Sequence, residues 1–170
     1  DIDVPPTLVA FAVGVEKAKN IISAEFKEVG SKLVFLIAER NEDYTLKVEQ
    51  YKKNLEKLHE LILEGKVIAA SSVKFGGVSE TLSKMAFGNK IGVKFYNLTK
   101  EELFGLNYGS LVLEVKQDVN IDVEFEGCAY KAIGCTVKDE VIVSEEYDLD
   151  LKLNVLVEAY EEKLSKVFKI

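Results

Sequence analysis

The segment A-S-S-V-K-F-G-G-V-S-E-T-L-S-K-M-A-F-G-N-K-I-G, residues 70–92, decides how the rest of the chain is read. It reads as a strand, a two-glycine turn, a helix and the entry to another strand. Gly76 and Gly77 stand where the strand ends and the helix begins. Glycine there admits backbone angles that other residues avoid, and it lets a ligand approach the main chain. Val78, Leu82 and Met85 follow at i, i+4 and i+7, one face of a helix, and Gly88-Asn89 is a helix stop. The first turn of such a helix exposes N–H groups with no partner inside the helix, at the positive end of its dipole. Groups of this kind hold phosphate, and Lys74 just before the turn adds a positive charge. The Gly76-Gly77 helix start, with Lys74 beside it, is therefore the candidate anion-binding turn. The same spacing also describes a plain tight turn between packed elements. Glu80, in the first turn, is able to satisfy the dipole itself and would repel an anion. The spacing is neither the G-x-x-x-x-G-K-[ST] of a P-loop nor the G-x-G-x-x-G of a dinucleotide site.

Upstream of this segment, residues 66–73 supply the strand that feeds the turn. Residues 45–64 predict a long helix with Val48, Tyr51, Leu55, Leu58 and Ile62 on one stripe, ended by Gly65. The apolar runs at 7–15 and 32–38 read as buried strands, with a short helix at 16–22 between them. Downstream, residues 91–95 and 111–115 read as strands. Residues 99–104 predict a short helix capped by Thr99, with Glu101 and Glu102 at its positive end. Residues 119–125 read equally as a strand or a short amphipathic segment. Residues 129–137 and 140–144 suggest a hairpin around Lys138-Asp139. Residues 150–168 predict a last helix with Leu153, Leu156, Tyr160, Leu164 and Val167 on one face. The acidic run Glu145-Glu146-Tyr147-Asp148 lacks the glycine-punctuated spacing of a calcium loop and reads as a solvated turn. Strands and helices mix without strict βαβ alternation. The expected fold is α/β, a mixed β-sheet packed with helices, as a single domain over residues 1–170.

The chain has 170 residues, 48% apolar and 30% charged, which suits one well-buried domain. A formal net charge of -7 argues against general binding to nucleic acid or to an anionic membrane. A local anion site needs only a few N–H groups and a lysine, and is compatible with that charge. Cys128 and Cys135 form no C-x-x-C pair and read as reduced packing thiols, implying a cytoplasmic setting and no zinc site. No run reaches membrane-spanning length and no signal peptide is visible. The start at Asp1 and the Pro5-Pro6 pair suggest a domain taken from a longer chain. His59, the single histidine, lies beside the stripe of the long helix with no oriented partner, and reads as surface or half-packed. No Ser-His-Asp or Cys-His arrangement and no carboxylate pair can be picked out, so no catalytic residue and no metal ligand is assigned.

The segment K-V-I-A-A-S-S-V-K-F-G-G-V-S-E-T-L-S-K-M-A-F-G-N-K-I-G resembles the Gly-Gly segment of the phosphoribosylformylglycinamidine synthase family. Other pieces agree in order. Pro5-Pro6-Thr7-Leu8-Val9 resembles the entry to that family's second C-terminal half-domain. Leu103-Phe104 through Tyr108-Gly109-Ser110-Leu111-Val112 resembles its next helix-and-strand pair. Ala132-Ile133-Gly134-Cys135-Thr136 resembles its Ile-Gly turn before the last hairpin. The resemblance spans nearly the whole chain. It implies the α/β C-terminal domain fold of the aminoimidazole ribonucleotide synthetase superfamily. It also implies a part in an ATP- and Mg-dependent ligase of purine biosynthesis, which converts formylglycinamide ribonucleotide and glutamine to the amidine. By the same resemblance Gly76, Gly77, Val78 and Ser79 match the family's phosphate-facing turn. The implied partners are the remaining domains of the enzyme, namely its ATP-binding half-domains and a glutaminase with a Cys-His-Glu triad that nothing here resembles. The fragment alone is expected to hold no cofactor and to be inactive. Two departures stand out. Lys74-Phe75 occupy the places of Ser-Asp before the glycines in many relatives, and Gly105-Leu106-Asn107-Tyr108-Gly109 replaces an Asn-Glu-Glu-Leu-Gly pattern. They motivate an alternative, a non-catalytic scaffold domain with no ligand contact; a free-standing small-molecule binder is a third reading.

Overall fold

The K-L-V-F-L run forms the strand β1 (Lys32–Leu36), and its side chains alternate between two cores. Leu33 and Phe35 join the core on one face of the sheet; Val34 and Leu36 join the core on the other. This period of two is what a strand buried on both faces requires. The computed structural model describes residues 7–165, and side chains as far as residue 162. Along that stretch β1 is followed by α1 (Val48–Leu63), β2 (Val67–Ser72), α2 (Gly77–Phe87), β3 (Gly92–Phe95) and α3 (Lys100–Phe104). Then come β4 (Leu111–Val115), α4 (Ile121–Glu124), β5 (Tyr130–Val137), β6 (Val141–Ser144), β7 (Leu149–Lys152) and α5 (Leu153–Ser165). The seven strands make one sheet in the order β2-β4-β1-β5-β3-β6-β7. Every pairing is antiparallel except β3 with β6, so the sheet is mixed, as expected.

Helices cover both faces. Leu82, Met85 and Ala86 of α2, Leu103 of α3 and Leu153 of α5 pack on one core with Phe26. Leu58 and Leu61 of α1 pack on the other with Ile121 and Phe125. Two buried polar side chains tie loops to this frame. Asn54 of α1 donates from Nδ2 to the Ile37 carbonyl (2.9 Å), while its Oδ1 accepts from the Ala129 amide (3.1 Å). Glu114 of β4, fully buried, accepts from the amides of Lys27 (2.7 Å) and Glu28 (2.9 Å). Burial pushes its carboxyl above the usual range despite those two donors.

Several expectations change. Residues 7–15 form no strand; all of them are exposed, with Leu8, Phe11, Val13 and Val15 almost wholly so. The short helix at 16–22 shrinks to one 3-10 turn, Ala18–Asn20. The buried face of α1 is Asn54, Leu58 and Leu61, while Val48 and Leu55 of the expected stripe are exposed. Asn54 shifts the face, because its amide serves two main-chain groups that no leucine can. Residues 119–125 hold the short helix α4, capped by Asn120, whose side chain accepts from the Asp122 amide. β5 and β6 are consecutive but do not pair; β3 lies between them. Gly92 permits this, since a Cβ there would stand 1.9 Å from the Asp139 carbonyl oxygen in the turn after β5. The last helix starts at Leu153, and residues 149–152, assigned in part to it, form the edge strand β7 instead. Leu153 is buried and Leu156 packs on the same core. Tyr160 is half exposed, its ring 5.8 Å from that of Phe87; Leu164 and Val167 of the expected face lie outside the described side chains.

Candidate functional site

β2 delivers the chain to the two glycines at one end of the sheet. The Val73 amide, one residue past the strand, donates to the Ser110 carbonyl (2.9 Å), which holds the chain in line as it leaves the sheet. Lys74 and Phe75 then turn outward and are exposed. Gly77 takes φ +70°, the left-handed region, and its N–H donates back to the Lys74 carbonyl at 3.0 Å. A Cβ on Gly77 would stand 2.3 Å from the Leu103 carbonyl oxygen and 2.9 Å from the Phe104 Cα. Both conformation and space therefore demand glycine, and the space is filled by the backbone of α3.

The first turn of α2 is partly satisfied from within the chain. The Gly76 N–H donates to Oε2 of Glu80 at 2.7 Å, and Glu80 also pairs with Lys84 at 2.6 Å. Lys84, and after it the Gly76 amide, hold the Glu80 carboxyl below the usual range. The Ser79 hydroxyl donates to the Gly76 carbonyl (3.0 Å) and that of Thr81 to the Gly77 carbonyl (3.1 Å). Of the amides at 76–79, two are thus engaged within the chain. Those of Val78 and Ser79 meet no acceptor among the described residues.

The five candidate residues come together as one turn, but they differ in what they offer. Lys74 supplies an exposed ammonium. Val78 is fully buried as a side chain and offers only its amide. Ser79 offers its amide and borders a cleft of about 190 Å³ between α2, α3 and the β6–β7 end of the sheet, lined by apolar Leu82, Phe95, Leu103 and Tyr147. Glu80 stands where sequence analysis places an acid at the dipole. The contribution of α3 to the turn was not legible: Leu103 lies 26 positions beyond Gly77, and no local pattern links them.

Elsewhere the chain offers little chemistry. His59 is exposed. Both cysteines are free, and burial pushes the Cys128 thiol up, away from reactivity. Among the described residues no group of three His, Cys, Asp or Glu side chains could hold a metal ion. None of the described helices is long and apolar enough to cross a membrane.

No protein-family model matches the chain. Solved structures do. One is Thermotoga maritima PurL complexed with FGAR, with a TM-score of 0.65 at 12% identity over 82% of this chain and 30% of that one. Another is PurLQS from Thermotoga maritima, with a TM-score of 0.66 at 12% identity over 84% of this chain and 28% of that one. The hydrogenase maturation protein HypE in complex with ATP has a TM-score of 0.55 at 15% identity, over 78% of this chain and 52% of that one. The chain thus spans about 30% of the length of the PurL chain it matches. The mixed seven-stranded sheet with helices on both faces is the α/β fold that these PurL and HypE structures share, and the chain has that PurL-like domain fold.

Proposed function

We propose that the chain is one half-domain of an ATP-dependent ligase of the phosphoribosylformylglycinamidine synthase type. Such an enzyme converts formylglycinamide ribonucleotide and glutamine to the amidine in the cytoplasm. In this reading the turn at 74–79 forms one wall of the site for a phosphate-bearing ligand. The observation that carries it is the pair of open amides at Val78 and Ser79, beside the exposed Lys74, at the N-terminus of a helix in a PurL-like fold. PurL structures of this fold were solved with FGAR, AMPPCP, ATP and ADP, all phosphate-bearing molecules, which supports the reading.

The two amides donate to phosphate oxygens, the helix dipole favours the negative charge, and Lys74 neutralises part of it. ATP, when bound, supplies the driving force of the ligation. The described residues do not fit a magnesium site, since no three His, Cys, Asp or Glu side chains among them come together. No side chain of the turn is a catalytic group. The ATP-binding half-domain and the glutaminase are the partners this reading requires, and the chain alone is inactive.

A second reading, a scaffold domain with no ligand contact, is favoured by one feature. Glu80 already holds the Gly76 amide and places a carboxylate where an anion would approach. Calorimetric titration of ADP, ATP and formylglycinamide ribonucleotide into the isolated chain and into the full-length polypeptide separates the two. Under the phosphate reading the full-length protein binds, and Glu80→Gln binds more tightly because a like charge is removed. Under the scaffold reading Glu80→Gln changes nothing.

A further inference from the structure

We propose that residues 8–15 are a β-strand supplied to another sheet: they pair with an open strand edge of the adjoining half-domain in the longer polypeptide. The proposal rests on the reading of this chain as one half-domain of a PurL-type enzyme. Three observations carry it. The first is exposure. Leu8 is 96% exposed, Phe11 90%, Val13 94% and Val15 99%, in a run with no charged residue. Scattered apolar side chains on a surface are ordinary, but a contiguous run of this kind marks an interface. The second is the backbone. None of residues 8–15 enters a hydrogen bond within the described chain, and the run contains no proline, so every N–H and C=O is offered. A β-branched and aromatic run with a free main chain is the element that adds itself to a sheet edge.

The third is the pattern. In an extended strand Val9, Phe11, Val13 and Val15 fall on one face, and Leu8, Ala10, Ala12 and Gly14 on the other. The large face suits a core. The smaller face, ending in a glycine whose Cβ position meets nothing within 4 Å, suits close approach of a second layer. The chain's own sheet does not take the strand: residues 8–15 are absent from its seven strands, and at its β2 edge the Ala70 amide donates to the Ser23 carbonyl at 3.4 Å. The occupant is assigned to the same polypeptide rather than to a second copy because the matching PurL chain extends well beyond the 30% that corresponds to this one. A strand supplied in cis also fixes the angle at which the two half-domains meet.

Hydrogen–deuterium exchange of the amides at 8–15 tests this, on the isolated chain and on the full-length polypeptide. The isolated chain should exchange at the rate of an unstructured peptide at every protein concentration, and the full-length protein at least about 100-fold more slowly. Rapid exchange in both overturns the proposal, whatever ligands the enzyme binds. Slowing in the isolated chain that grows with concentration overturns it in favour of a second copy. The double variant Phe11→Asp, Val13→Asp should leave the isolated chain's melting temperature unchanged and lower that of the full-length protein; equal effects in both contradict the assignment. Failure of the ligase reading shows separately, as an absence of nucleotide binding with the strand still protected.

Discussion

Gly77→Ala isolates what the turn demands of the sequence. The native φ of +70° costs an alanine about 1–2 kcal/mol, the penalty of the left-handed region. The new Cβ would also stand 2.3 Å from the Leu103 carbonyl oxygen, a backbone atom that cannot rotate aside. Displacing α3 by the distance needed adds about 1–3 kcal/mol, the range for overpacking. The sum is about 2–5 kcal/mol, a large share of the roughly 5–15 kcal/mol that holds a domain of this size. Gly65 provides the control. It has nearly the same φ, +68°, but nothing lies within 4 Å of its Cβ position. Gly65→Ala should therefore show the conformational cost alone, about 1–2 kcal/mol. Urea unfolding followed by circular dichroism reads the difference. With an m-value of about 2 kcal/mol per molar, Gly77→Ala should lower the midpoint by roughly 1–2.5 M and Gly65→Ala by less than about 1 M. Equal shifts would show that α3 does not wall the turn, and would refute the steric argument.

Three further outcomes follow from the same geometry. Thr99→Ala removes a capping box in which Thr99 accepts from the Glu102 amide and Glu102 accepts in return, and should cost about 1 kcal/mol in the same unfolding assay. Asn54→Leu strands the Ile37 carbonyl and the Ala129 amide, and should cost about 2–4 kcal/mol despite the apolar gain; a neutral result would mean those groups find water. Glu114 sets a pH dependence. Its folded carboxyl titrates above its unfolded value, so the protonated form favours the folded state. Its contribution is complete below the unfolded pKa and is lost as pH rises through the folded one. Melting temperatures from pH 4 to pH 8 should fall with pH more steeply in the wild type than in Glu114→Gln. The variant should be the less stable at the acid end, because a glutamine can accept from only one of the two amides. Parallel curves would place the titration elsewhere.

Much of the frame is legible in the chain itself because it is set locally. β1, β2 and β4 are short apolar runs, α2 follows from Val78, Leu82 and Met85, and Thr99 announces α3. What escapes is set by distant partners. Residues 7–15 have the composition of a buried strand, but no edge within the described chain receives them. Lys138-Asp139 has the look of a hairpin turn, yet β3 enters between the flanking strands through the space that Gly92 leaves beside Asp139. The α1 face is rotated by one polar residue, Asn54, whose value lies in two loop groups far along the chain. At the turn, the glycines and the acid in the first helical turn are legible. The packing of α3 on Gly77 is not, because it is a contact between backbones and leaves no side-chain signature.

Ser79→Asp in the full-length polypeptide tests the phosphate-facing turn most directly. An acid at the third helical position favours the helix, so the fold should persist, while its carboxylate stands against any incoming phosphate. Calorimetric titration with ADP and with formylglycinamide ribonucleotide should show at least one of them bound about tenfold more weakly or worse, a loss of about 1.4 kcal/mol, with the melting temperature unchanged. Wild-type affinity for both ligands in a folded Ser79→Asp protein would contradict the account and leave the turn a structural joint.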